Sequence, residues 1–304
     1  MPTHRRTDAV LLVVAVVWGS SYLAAKTATD TLPVLTVLFL RYAIAALACA
    51  AALRGLGSLT RDEKAYGSLL GLTQAAVLVL ETYGVARTSA GNAGLIISLT
   101  LVLTPVMDRV GRRGGLPGRF HLAAGVCLTG VALLVSGNGL RAPGTGDLLI
   151  LAAAVVRAGH VVLVGRVTAA RELRPFRLTA VQTAVGAVLF LVPAAPALPA
   201  LASTGAATWA ELLYLALFCG LFAFLAQTWA VQRTSATRAS LLLGTEPVWA
   251  LLAGVGLGGE HLTALSVLGA TLIVAGTYWG QAVERAHRAL PATPARAMSA
   301  EGAR

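Results

Sequence analysis

Residues Arg233–Thr263, RTSATRASLLLGTEPVWALLAGVGLGGEHLT, decide how this chain is read. The stretch is apolar for about the length that a helix needs to cross a bilayer core, roughly 20 residues. One acid, Glu246, stands near its middle and is followed at once by Pro247. The tetrad that opens it, Arg233-Thr234-Ser235-Ala236, occurs once more at Arg87-Thr88-Ser89-Ala90, again just ahead of a long apolar run. A repeated entry signal and an acid inside an apolar segment point to a duplicated membrane protein with a polar centre.

Composition agrees. The 304 residues are 57% hydrophobic and only 12% charged, with a mean hydropathy of +0.76. Soluble domains carry about 25% charged residues. The net charge of +11 sits in short clusters between apolar runs, not in an aromatic-studded basic face, so nucleic acid is not an expected partner. Cys49, Cys127 and Cys219 fall inside apolar runs without metal-ligand spacing. They read as small buried side chains, and neither a metal nor a cofactor is expected.

Ten apolar segments follow in order, at residues 8–28, 33–53, 65–86, 90–109, 119–138, 147–168, 176–195, 209–230, 237–257 and 263–283. The first is too long for the apolar core of an ordinary signal peptide and is read as a retained helix. The connections, such as Gly111 to Gly118, Gly137 to Gly146 and Ala200 to Thr208, carry turn chemistry and are too short for a soluble domain. The tail after Gln281 is polar, with two prolines, and is expected to be disordered.

Placing the N-terminus in the cytoplasm puts most Lys and Arg inside and only Lys26, Arg87 and Arg141 outside. That is the positive-inside pattern, and it predicts cytoplasmic termini in the cell membrane. Sliding residues 65–136 by 146 positions superposes Arg87–Ala90 on Arg233–Ala236, Ala93 on Ala239, Leu122 on Leu268 and Gly130 on Gly276. Two repeats with an odd number of spans must insert in opposite senses. The expected fold is therefore an all-α integral membrane protein, with ten transmembrane helices as two inverted five-helix repeats. These cover residues 1–138 and 147–283, and 284–304 form a cytoplasmic tail. Inverted repeats recur in secondary transporters, with the substrate site near the midplane between the halves.

The motifs sharpen this into a family resemblance. They are Trp18-Gly19-Ser20-Ser21-Tyr22, Leu40-Arg41-Tyr42, Thr88 to Ala93 leading to Ser98-Leu99-Thr100, Gln227 to Ala230, Glu246-Pro247-Val248, and Gly259-Glu260. In order and spacing the chain resembles the EamA family of the drug/metabolite transporter superfamily over residues 8–282. The resemblance implies ten helices, cytoplasmic termini, and export or uptake of small metabolites. Three positions depart from the family pattern. Thr100 is followed by Leu101 where a proline is usual, with Pro105 a turn later, so the helix break expected there is moved or lost. Arg157 replaces the usual Trp of helix 6. Arg113-Gly114 stands in place of a glycine-glutamate pair.

Ionisable groups inside a membrane are costly, and each is a candidate for function. Arg157 and Glu246 lie near the midplane of their segments. Arg41 and Glu81 lie roughly 12 and 8 Å from the outer ends of theirs, by the helical rise. Matched depths predict two pairs, Arg157 with Glu246 and Arg41 with Glu81. Glu246 is the candidate site for a proton or a cationic group, the alternative being a permanent ion pair with Arg157. Pro247 frees a backbone carbonyl beside it. Arg157 suits a substrate carboxylate. His160, three residues on, is either a proton relay or a hydrogen-bonded imidazole of the bundle. Trp18 and Tyr22 are candidates for the cavity wall. Trp229, Tyr278 and Trp279 near the inner ends, and Trp209 near an outer one, read as interfacial belt residues. Gly254-xxx-Gly258 and Gly276-xxx-Gly280 are faces for close helix packing or a homodimer.

No P-loop, HExxH or GxSxG motif occurs, so neither an ATP-driven pump nor an enzyme is expected. The one hydrolase arrangement to weigh is Ser20 or Ser21 with His160. The reading that emerges is a secondary transporter working by alternating access on a small metabolite, amino acid or drug-like molecule, with protons as coupling partner and efflux as direction. A uniporter or exchanger is the alternative, and an integral membrane enzyme is the rival class.

Overall fold

A computed structural model describes residues 2–53, 58–109, 116–136, 144–169, 173–231 and 243–289. The second tetrad at Arg233–Ala236, Arg141, Arg113-Gly114, most of the glycine-rich connections and the end of the tail lie outside the described residues. Every regular element described is helical, with no strand among them. They are α1 (Pro2–Thr31), α2 (Val34–Leu53), α3 (Arg61–Val85), α4 (Ala90–Ile97), α5 (Thr100–Arg109), α6 (Gly118–Ser136), α7 (Thr145–Ala169), α8 (Pro175–Ala194), α9 (Ala206–Leu213), α10 (Ala223–Val231), α11 (Glu246–Gly256) and α12 (Ala264–Ala289).

Seven segments are long and apolar enough to cross a membrane: Arg6–Thr31, Val34–Ala52, Arg61–Val85, Ala90–Asp108, Thr145–Thr168, Pro175–Ser203 and Ala206–Ala226. The expected fifth span corresponds to a shorter apolar helix, Gly118–Leu133. The expected ninth begins outside the described residues, and α11 is its second half. Leu47, Val188 and Val192 are 71%, 73% and 78% exposed, and many other large apolar side chains also face outward. Water would not tolerate such a surface over helices of this length, whereas lipid does. The chain is a multi-pass membrane protein.

Three local expectations are corrected. The break in the fourth span is neither lost nor moved to Pro105, but falls at Ser98-Leu99, between α4 and α5. There the backbone tightens to three-residue bonds, Leu99 to Ile96 and Leu101 to Ser98. Ser98 donates its hydroxyl to the Leu95 carbonyl at 2.6 Å, competing with the regular ladder. Pro105 sits inside α5, and Thr104 donates to the Thr100 carbonyl at 2.7 Å beside it. The connection read as a turn over Ala200 to Thr208 begins inside a 3₁₀-helix, Ala195–Ser203. The tail is helical as far as Ala289, because α12 continues past Gln281.

The eighth span is regular only at its ends. Between α9 and α10, Tyr214–Phe222 forms a π-helix. Such insertions widen a helix and re-aim its carbonyls, and they concentrate at functional sites.

Glycines bring α6 and α12 into close contact. A Cβ at Gly130 would meet Gly269 O at 2.7 Å and Ile273 N at 2.8 Å, while one at Gly276 would meet Ala123 O at 3.0 Å and Cys127 Sγ at 2.7 Å. Gly276, Gly269 and Ile273 are Gly130, Ala123 and Cys127 displaced by 146 positions. The two contacts are thus one contact made twice. Cys127 also points its thiol at the carbonyl of Ile273, 146 residues away, at 3.7 Å. Farther along, Gly280 faces Phe120, so positions descend in one helix as they rise in the other and the pair is antiparallel. This packing occupies the Gly276-xxx-Gly280 face within the chain. Gly254 and Gly258 are likewise covered, by Glu260, Gly91 and Leu23.

Candidate functional site

Gly19 lets α1 lie directly on the start of α11. A Cβ there would meet Glu246 O and Ala250 N, each at 2.8 Å. α11 opens at Glu246 with Pro247 next. Proline suits this first turn because its missing N–H would have no helical partner there. The Glu246 carboxylate therefore sits at a helix N-terminus, where unpaired N–H groups favour negative charge.

Tyr22, one turn along α1 from Trp18, donates its hydroxyl to Glu246 Oε1 at 2.6 Å. Arg157 Nη1 lies 3.5 Å from the same oxygen and 3.4 Å from the Tyr22 hydroxyl. The Arg157 guanidinium stands 5.6 Å from the centre of the Trp18 ring, within range of a cation–π contact. The Trp18 indole donates to the Cys219 carbonyl at 3.1 Å, so the π-helix supplies its acceptor. Next to it, Tyr214 of the same π-helix meets Ser20 Oγ at 2.7 Å. Tyr22 and Trp18 are 2% and 9% exposed, and Glu246 is 9%.

The depth-matched pair Arg157–Glu246 is present, and its geometry is informative. Its contacts fall on one carboxylate oxygen and one guanidinium nitrogen. A fork-to-fork pair would engage two of each. The remaining donors and acceptor lone pairs of the cluster have no partner among the described residues.

The second pairing is corrected. Ion pairs join Arg157–Glu246, Arg166–Asp108 and Arg177–Glu63, whereas Arg41 and Glu81 do not form one. Depth fixes position along the membrane normal but not the direction a side chain takes around its helix. Glu81 is half-buried and within electrostatic range of Arg157, Arg41 and Glu246. Arg41 instead lines a cavity with Gln74, one to two turns short of Glu81 on α3.

His160 is buried, and its Nδ1 meets Thr73 Oγ1 at 2.7 Å. It shares a helix face with Arg157 but bonds to none of the described residues of the cluster. Ser20 and Ser21 bond to Tyr214 and to backbone carbonyls, so the serine–histidine arrangement weighed as a hydrolase is not assembled.

Two buried polar contacts went unread in the sequence. Glu260 reaches from the loop after α11 to the start of α4, accepting from Ala90 N at 2.5 Å and Gly91 N at 3.0 Å. Gly259, with φ +67°, turns the chain back to place it, since only glycine adopts that conformation without strain. Beside it, Lys26 Nζ donates to the Thr88 carbonyl, and Thr88 Oγ1 donates to Asp147 Oδ1 at 2.6 Å. At the other end of the bundle, Arg177 is 6% exposed. It bonds Glu63 at 3.3 Å and Ser58 O at 2.9 Å. The signal for both was available: Gly259-Glu260 as a turn-plus-acid, and Thr60 to Glu63 as a capping box.

Lipid-facing helices around a polar, buried centre define a multi-pass membrane protein with an internal polar site. The EamA-like transporter family model matches the chain twice, over residues 5–136 and 144–279, and the chain belongs to that family. An uncharacterized transporter from Archaeoglobus fulgidus is 26% identical over 267 residues, 88% of this chain and 83% of the relative. A solved crystal structure is similar in fold, with a TM-score of 0.62 at 18% identity, covering 93% of this chain and 99% of that one.

Proposed function

We propose that the protein is a secondary active transporter that moves a small zwitterionic or cationic solute by alternating access, coupled to protons in the efflux direction. The observation that carries this reading is the Tyr22–Glu246–Arg157 cluster, an incompletely satisfied ion pair at a helix start inside the bundle. Glu246 takes the solute's amine or a proton, Arg157 takes its carboxylate, and Trp18 forms the wall. Glu81 lies in range of both arginine charges and serves the path from the cluster outward.

The architecture behind it is ten helices in two inverted five-helix halves, 1–138 and 147–283, with both termini cytoplasmic. The reciprocal α6–α12 contact supports this, because an antiparallel contact repeated at a 146-residue displacement is what a pseudo-twofold axis between the halves produces. The twofold family match supports the same division. In this topology the Lys26, Thr88, Asp147 and Glu260 contacts lie on the outer side and close it. Rocking one half against the other breaks the two that cross between halves, Thr88–Asp147 and Glu260 on Ala90 and Gly91, and exposes the cluster outward.

The test is counterflow of candidate amino acids and cationic drugs in vesicles, with and without a pH gradient, on the wild type and Glu246→Gln. Full activity of Glu246→Gln with unchanged pH dependence would reject the role of the acid. Absence of any flux across the panel in the wild type would reject transport and favour a membrane enzyme.

A further inference from the structure

Arg41 faces a cavity with a largely apolar wall, formed by α2, α3, α8, the π-helical segment and the start of α10. Its volume is about 30 Å³, enough for about two waters or one small ion. Its lining is rich in hydrogen-bond donors and contains no carboxylate. Arg41 brings five N–H groups on a permanent cation, and no hydrogen bond or close ion pair joins it to a described residue. Gln74 and Gln182 bring two primary amides from facing helices. Tyr42 also lines the cavity, and its hydroxyl is buried without a hydrogen-bond partner. The threonines in the wall have their protons committed elsewhere, Thr179 to Pro175 O and Thr183 to Ala180 O, both at 3.0 Å.

A membrane-embedded guanidinium without a bonded counter-ion is costly, as is a buried hydroxyl without an acceptor. One group satisfies both: an acceptor of negative charge. We propose that this cavity binds a small monoanion, a carboxylate group or a halide, between Arg41, the two glutamine amides and the Tyr42 hydroxyl. A single guanidinium among neutral donors, with the Glu81 carboxylate in electrostatic range, admits no more than one negative charge, and a volume of about 30 Å³ suits a group of acetate's size. The site is separate from the Glu246 cluster. Phe224 lines the cavity on one side and meets Trp18 edge-on at 5.4 Å on the other, so an aromatic pair divides the two centres.

The experiment is thermal unfolding of the purified full chain in detergent, titrated with sodium acetate or sodium chloride. Ionic strength is held with sodium HEPES, whose anion is a bulky sulfonate without a carboxylate. The wild type is expected to show a saturable rise in unfolding midpoint, as for any ligand of the folded state. Arg41→Gln is expected to abolish it. Gln182→Leu keeps the cation, and so remains informative if Arg41→Gln folds poorly; it should weaken the apparent affinity about tenfold, the worth of one hydrogen bond to a charged group. A response to acetate alone assigns the site to a solute carboxylate, and a response to chloride as well assigns it to small monoanions generally. No saturable shift with either salt, or a shift that persists at the same affinity in both variants, overturns the proposal. The readout is equilibrium binding, so it does not depend on whether Glu246 carries transport.

Discussion

Tyr22 and Glu246 are joined by a 2.6 Å hydrogen bond across 224 positions of sequence. The phenol is 2% exposed, and it fixes the carboxylate on the same oxygen that Arg157 approaches at 3.5 Å. A bond to a charged acceptor in such a setting contributes about 1.5–3 kcal/mol. Tyr22→Phe keeps the ring and removes only the donor. Vesicle transport is expected to fall at least about tenfold, while the yield of folded protein stays near that of the wild type. Wild-type rates in Tyr22→Phe would show that the bond is incidental.

Arg157 and Glu246 neutralise each other, which makes single and double substitutions distinguishable. Arg157→Gln strands a carboxylate inside the bundle and is expected to destabilise by about 3 kcal/mol, the cost of breaking a buried pair. The double variant Arg157→Gln with Glu246→Gln removes both charges, and its unfolding midpoint is expected to recover most of that loss. Transport is expected to stay absent in both. If the double variant regains transport along with stability, the pair is scaffolding.

Much of this arrangement was legible in the sequence, for reasons that particular residues make plain. Glu246 and Arg157 announced themselves because charge inside an apolar run is rare and must be balanced, and their shared depth was enough to pair them. The same argument failed for Arg41 and Glu81, since depth carries no information about which neighbour a helix face meets. The packing of α6 on α12 was implicit in the displacement of Gly130 onto Gly276, but its reciprocity appears only when the two helices are placed in space. The π-helix at Tyr214–Phe222 left no periodic trace, because its residues are apolar all round. Glu260 was visible as a motif residue, yet its target, the N–H groups of Ala90 and Gly91, lies 170 and 169 positions away.

Gly19 holds α1 against α11 closely enough that a Cβ would come within 2.6 Å of Trp249 Cβ and 2.8 Å of Glu246 O. The second of these is backbone and has little room to yield. Gly19→Val is expected to lower stability by about 1–3 kcal/mol through overpacking and to displace Glu246 from Tyr22, abolishing transport. Gly125, on the exposed side of α6, has nothing within 4 Å of its missing Cβ. Gly125→Val is the control, with an expected change within about 0.5 kcal/mol. Equal unfolding midpoints for the two variants would contradict the close α1–α11 contact.

Glu260 places both carboxylate oxygens on the first N–H groups of α4, at 2.5 and 3.0 Å. The helix end and the acid attract each other as charge and dipole, and the contact ties the loop after α11 to the opposite half of the chain. In the proposed topology this tie lies on the outer side and must break for the cluster to face outward. Glu260→Ala removes two charge-assisted bonds, so the outward-open form should gain at least about tenfold in population. A cysteine introduced at Ser21, next to the Tyr22–Glu246 bond, reports that change. Its labelling by a membrane-impermeant maleimide added outside is expected to be at least about tenfold faster in Glu260→Ala than in the parent, in proportion to the population shift. The native cysteines Cys49, Cys127 and Cys219 are buried, and the parent without Ser21→Cys gives the background. Unchanged labelling with transport intact would mean that Glu260 caps α4 without gating the outer side.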